Sequence, residues 1–142
     1  MTIKKIIFIQ LLLFICIPDV FCDTIGYYHV YYNNIILKNS SDKTGDTLPV
    51  VVKKADIKEK DSLTIKYWQD TPCENCKFFL VVIDERKKYV KVTSTIGQAS
   101  PLSISLSEIL KWSENYYNDN FEIYYYKEKP AFPIHLFKLI LE

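Results

Sequence analysis

The chain has 142 residues, with 18 basic and 17 acidic side chains and a formal net charge of +1. One domain is expected at this length, and the balanced charge argues against a nucleic-acid-binding protein, which normally carries a basic surplus. Aromatic residues make up 15% of the chain, with 11 tyrosines and 8 phenylalanines, and this composition favours strands over helices.

The amino terminus has the three regions of a secretory signal peptide. Lys4 and Lys5 precede an apolar run of about a dozen residues, and a short segment then ends at Cys22. We therefore predict a signal peptide over residues 1–22, a single domain over residues 23–142, and a secreted or periplasmic protein. The apolar run is shorter than the roughly 20 residues that a membrane span requires, so no span is expected after cleavage. Lipidation at Cys22 is an alternative, although the bulky residue before it disfavours this modification.

The first half of the predicted domain contains several strand patterns. Residues 24–38 form one long strand or a hairpin, and residues 39–47 form a polar loop. A short strand is expected over residues 48–53, and a clear alternation of apolar and polar side chains predicts another over residues 63–67, with a turn over residues 69–75. The stretch 78–83 is apolar at every position, which is typical of a central strand covered on both faces.

The second half continues the pattern, with one interruption. Strands are expected over residues 89–95, 102–106, 121–126 and 134–141. Ser105 and Glu108 have the spacing of a capping box, so a short helix is expected to begin there, near the end of the second of these segments. We expect this helix to end near Trp112 and a loop to follow.

About eight short strands and one short helix favour an all-β fold, an antiparallel β-sandwich. A fold of βαβ units would need a helical crossover after each strand. The stretch ADIKEKDSLTI, residues 55–65, resembles the approach to an early strand in immunoglobulin-like secreted modules. This resemblance implies an immunoglobulin-like sandwich.

Cys73 and Cys76 form a CxxC pair and are the only cysteines left after the predicted cleavage. Export to an oxidising compartment favours a structural disulfide between them. A thioredoxin-like redox site is an alternative, but it needs a helix after the first cysteine, and strand-like sequence follows here. Zinc bound by the two cysteines with His29 and His135 is a further alternative, although their spacing fits no zinc module.

Catalytic and cofactor motifs are weakly represented. The chain has no GxSxG elbow, and its 3 glycines hardly permit a glycine-rich phosphate loop. We therefore predict no enzymatic activity, no cofactor and no metal.

Aromatic side chains give the candidate binding surface, which comprises Trp68, Trp112, Tyr124 and Tyr126. Exposed tyrosine and tryptophan offer rigid contact area with a polar tip, as in protein interfaces and sugar-binding sites. The alternative is that these rings fill the core and the cross-strand pairs of the sheets. The favoured hypothesis is an exported, non-catalytic module that recognises a protein or a surface component. A carbohydrate-binding module and an exported thiol–disulfide protein are the alternatives.

Overall fold

The structure is a computed structural model that describes residues 25–41, 48–70, 73–128 and 133–142. The predicted signal peptide, residues 1–22, lies outside the described residues. The described residues form nine strands and one α-helix. The strands are β1 (Gly26–Tyr32), β2 (Ile35–Ser41), β3 (Val50–Val52), β4 (Ser62–Gln69), β5 (Lys77–Asp84), β6 (Tyr89–Ile96), β7 (Leu102–Ser105), β8 (Asn120–Lys127) and β9 (Ile134–Leu141).

The first sheet has four strands in the order β2-β1-β4-β7, and all of its pairings are antiparallel. One long strand or a hairpin was expected over residues 24–38. The described part of this segment forms a hairpin, in which Tyr32 pairs with Ile35 across a two-residue turn. Asn33 and Asn34 have φ angles of 46° and 72°. Asparagine tolerates this left-handed region better than most residues, and two-residue hairpin turns require it. Strand β2 continues to Ser41, so part of the polar loop expected at 39–47 belongs to a strand.

The second sheet has five strands in the order β3-β9-β8-β5-β6. Strand β5 contains the apolar stretch 78–83 and lies between β8 and β6, so it is an interior strand of the sheet. The predicted cover on both faces is found only in part, because the outward-facing Val81 is buried but Phe79 and Ile83 are half-buried. The pairing of β3 with β9 is parallel, which is an exception to the antiparallel pattern of the other pairs.

The core lies between the two sheets and confirms an all-β sandwich. Side chains at every second position of β4 are buried, namely Leu63, Ile65 and Tyr67. The ring of Tyr67 stacks on Tyr125 of β8 with centroids 4.2 Å apart, so the two sheets are in direct contact. Tyr28 of β1 is paired with Tyr67 across the sheet, and its hydroxyl donates a hydrogen bond of 2.5 Å to the carbonyl oxygen of Leu136 in β9.

The immunoglobulin-like detail is not confirmed. Immunoglobulin sandwiches arrange their strands as ABED and CFG. The described strands instead follow the orders β2-β1-β4-β7 and β3-β9-β8-β5-β6.

Helix α1 (Leu106–Tyr116) begins where the capping box predicts, with the Ser105 hydroxyl accepting a hydrogen bond of 3.4 Å from the Glu108 amide. The helix is longer than expected, because residues 113–116 are helical rather than part of a loop. Ser113 lies on the buried face of the helix, and its hydroxyl donates a hydrogen bond to Asp119. This contact with a residue just beyond the helix supports a last turn whose residues have only moderate helix propensity.

Candidate binding surfaces

The CxxC pair forms a stapled turn. Cys73 and Cys76 are joined as a disulfide, with their Cα atoms 5.5 Å apart. The turn is followed directly by β5, so the first cysteine does not lie at a helix N-terminus, the position that activates thiols in thioredoxin-like sites.

A second turn holds the staple in place. The Gly97 amide donates to the Cys76 carbonyl at 3.0 Å, and the Gln98 amide donates to the Cys73 carbonyl at 3.1 Å. The Gln98 side chain adds two bonds, accepting from the Cys73 amide at 3.2 Å and donating to the Gln69 carbonyl at 2.6 Å. Gln98 therefore ties the staple to the end of β4. Nothing in the sequence pattern indicates this role, because its partners are distant along the chain.

A groove of about 520 Å³ lies beside these two turns and the end of β4. Its polar part includes the carboxylates of Asp70 and Glu74, and Trp68 provides its aromatic part. Because disulfide and hydrogen bonds fix two of its walls, the groove is largely pre-formed. The lining residues are Trp68, Gln69, Asp70, Glu74, Gly97, Gln98 and Ala99.

Trp68 also belongs to an aromatic strip on the outer face of the four-stranded sheet, which we define as Tyr27, His29, Tyr31 and Trp68. Trp68 pairs with Tyr27 across β4 and β1, and Tyr27 is 48% exposed. The His29 ring meets Trp68 edge-on with centroids 4.7 Å apart. The Lys66 ammonium lies 5.5 Å from the centroid of the Tyr31 ring, so a cation borders the strip.

The other three predicted surface residues lie elsewhere. Tyr124 and Tyr126 are on the outer face of the five-stranded sheet, where Tyr126 stacks on Phe79 with centroids 5.0 Å apart. Trp112 is on α1, partly buried against the core. The predicted set is thus divided among three parts of the surface, since the outer faces of the two sheets are on opposite sides of the sandwich.

Trp112 supports a neighbouring ring more than it offers contact area. Its ring lies 4.3 Å from that of Tyr116, one helical turn further on. Its indole N–H is buried, and it has no hydrogen-bond partner among the described residues.

The two histidines do not join the cysteines. His29 is in the four-stranded sheet, beside Trp68, whereas His135 is in the five-stranded sheet. The His135 Nε2 atom lies 2.6 Å from a carboxylate oxygen of Glu122. Among the residues that the structure describes, no group of three or more His, Cys, Asp or Glu side chains is placed to hold a metal ion.

Asp61 was not singled out by the sequence, but it is the centre of a hydrogen-bonded network. It accepts bonds from the Tyr32 hydroxyl at 2.5 Å, the Asn33 amide group at 2.7 Å and the Lys58 backbone amide at 2.9 Å. The Tyr32 bond, with the other two donors, lowers the pKa of Asp61. The same bond, together with desolvation, raises the pKa of Tyr32 to about 12. These donors bind both carboxylate oxygens, so the network joins the β1–β2 hairpin to the start of β4.

Asp84 is a second buried carboxylate with local partners. Desolvation opposes its ionisation, but bonds from the Lys88 amide at 2.9 Å and the Arg86 guanidinium at 3.2 Å hold the pKa of Asp84 below its usual value. These contacts fix the tight turn between β5 and β6.

No helix in the described part of the chain is both long and apolar enough to cross a membrane. The chain matches no protein-family model, and no curated protein is similar to it in sequence.

Proposed function

We propose that the protein is an exported, non-catalytic binding module that recognises another protein or a surface component through the aromatic strip and the groove beside it. Export is supported by the pattern of residues 1–22, which is typical of a secretory signal peptide. Binding is supported above all by one observation: Trp68 belongs both to a row of aromatic side chains on an outer sheet face and to a groove with stapled walls.

Rigid aromatic residues that are partly exposed are the usual anchors of protein interfaces. The strip requires little ordering on binding, because its rings stand on paired strands and His29 packs against Trp68. The groove requires little ordering for the same reason, since the disulfide and Gln98 hold its walls. Such pre-organisation raises affinity by lowering the entropy lost on association.

The test begins with partner identification. The protein is immobilised, the extracellular proteins of its source are passed over it, and retained proteins are identified by mass spectrometry. Binding is then reconstituted with each purified candidate, and we expect Trp68→Ala to weaken it about tenfold or more. Tyr89→Ala is the matched control, because it removes an exposed tyrosine from the other sheet and should leave affinity unchanged. A reconstituted partner that binds Trp68→Ala and the wild type equally would refute the role of this surface.

Carbohydrate binding is the second candidate function, and one observation favours it. Trp68 shares its groove with the carboxylates of Asp70 and Glu74. An aromatic face beside polar acceptors suits a sugar ring, which stacks its C–H face and donates hydroxyl groups. A glycan array probed with the wild type, Trp68→Ala and Glu74→Gln decides: Trp68-dependent binding to one glycan class selects this function, and no glycan binding removes it.

A further inference from the structure

A different surface, at the C-terminal end of α1, carries an inference that goes beyond the proposed function. We define the helix-end patch as Arg86, Lys87, Lys88, Tyr116 and Tyr117, which come from the β5–β6 turn and the end of the helix. Tyr116 is 42% exposed and Tyr117 is 96% exposed. We propose that this patch is a docking site for an acidic segment of a partner protein.

The cations of the patch are arranged around an aromatic ring. The Arg86 guanidinium carbon and the Lys88 ammonium lie 5.5 Å and 5.9 Å from the centroid of the Tyr116 ring. Arg86 is also held by Asp84, and Trp112 packs against Tyr116 from within the helix. The ring and the guanidinium are therefore pre-positioned, which is the condition under which arginine and tyrosine become strong contact residues.

Arg86 is paired with the buried Asp84 at 3.2 Å, but the two lysines of the patch are not neutralised by their surroundings. Within the described part of the chain, neither Lys87 nor Lys88 forms an ion pair. Lys91, the next cation along the chain, does have a carboxylate partner, Glu108, at 2.6 Å. The Lys87 and Lys88 ammonium groups, which form no ion pair with the described residues, are hydrogen-bond donors, and carboxylates are the complementary acceptors.

Tyr117 provides an independent reason to expect a partner. It ends the helix with φ 51° and ψ 47°, in the left-handed region where glycine is strongly preferred. The backbone has little choice there, because the Tyr117 and Asn118 amides both donate to the Ser113 carbonyl. A bulky side chain at this position costs stability, and one that is 96% exposed recovers almost nothing through packing in the free protein. A contact made only in a complex would account for the tyrosine.

A protein segment fits the patch better than a membrane surface does. Membrane-surface segments combine basic residues with tryptophan, phenylalanine or leucine that enters the acyl region. The exposed rings here are two tyrosines, and Trp112 is turned into the protein. Tyrosine and arginine are instead the residues that dominate protein interfaces.

The test uses peptides selected without bias. Random dodecapeptides displayed on phage are selected on the purified protein, and synthetic versions are measured by fluorescence anisotropy. We expect the selected peptides to be rich in aspartate and glutamate. Both Tyr117→Gly and the double variant Lys87→Glu with Lys88→Glu should weaken their binding about tenfold or more. Lys60→Glu, a charge reversal at an exposed turn near the N-terminal end of α1, should not.

A second readout separates function from folding. Tyr117→Gly should raise the midpoint of thermal unfolding by about 2–4 °C, because glycine relieves the left-handed backbone. Tyr117→Ala should lose binding without this gain. The proposal is overturned if the selected peptides are not acidic, if Tyr117→Gly binds them like the wild type, or if it unfolds at a lower temperature. It is also overturned if a heparin oligosaccharide or phosphatidylglycerol vesicles bind the patch and no acidic peptide does.

Discussion

Removal of the staple tests how the groove is built. The variant replaces both Cys73 and Cys76 with serine. The bridge closes a ring of four residues, and the loop-entropy relation assigns such a ring about 2 kcal/mol of stabilisation. The backbone bonds from Gly97 and Gln98 to the two cysteine carbonyls do not depend on sulfur and should persist. We therefore expect the free energy of unfolding to fall by about 2 kcal/mol, with the sandwich intact.

Urea denaturation followed by far-ultraviolet circular dichroism measures this difference. The control is the wild type in reducing buffer, which should reach the same stability as the double variant, whereas the variant itself should not respond to the reductant. Equal stability of the variant and the oxidised wild type would refute the structural role of the bridge. A variant that does not fold would show that the staple, and not the hydrogen bonds of the second turn, determines the local structure.

Three further predictions concern a turn, a helix cap and a hydrogen-bonded network. Gly97→Ala should destabilise the protein by about 1–2 kcal/mol in urea denaturation, because φ is 86° and the new Cβ would lie 3.2 Å from the Glu74 carbonyl oxygen; wild-type stability would contradict this geometry. Ser105→Ala should cost about 1 kcal/mol through loss of the helix cap, measured in the same way, and an unchanged midpoint would show that the cap contributes nothing. The pKa of Asp61 is lowered from 3.8, so its stabilisation should be lost as the pH falls below about 4, and the pKa of Tyr32 is raised from 10.0 to about 12, so its stabilisation should be lost between pH 10 and 12. In Asp61→Asn, the urea midpoint should no longer show either the acid or the alkaline loss of stability. A variant with the wild-type pH profile would contradict the stabilising role of the network.

Local patterns predicted the elements of this fold because each of them follows from neighbouring residues. The alternation in β4 predicted its buried face, and the continuous apolar run in β5 predicted an interior strand. The capping box predicted the first residue of α1. The last turn of the helix was not predicted, because its residues have only moderate helix propensity and the supporting bond from Ser113 to Asp119 depends on how the chain leaves the helix.

The arrangement of the elements could not be read in the same way. The parallel pairing of β3 with β9 joins segments that are far apart along the chain, and no local pattern indicates it. The same limit applies to the candidate surface. The alternation beside Tyr67 indicates that Trp68 points away from the core, but only the pairing of β4 with β1 places His29 next to it.

Both proposed surfaces contain residues in the left-handed region of the backbone, namely Gly97 and Ala99 at the groove and Lys87 and Tyr117 at the helix-end patch. Gly97 is the residue type that the conformation prefers, and its small size allows the staple to approach. Tyr117 is the bulkiest of the four side chains, the conformation disfavours it, and it is almost fully exposed. A glycine there is explained by the fold alone, whereas the tyrosine is not. A residue type that its backbone conformation disfavours is expected where a sequence serves binding as well as stability. Tyr117 is therefore the more informative position for functional experiments.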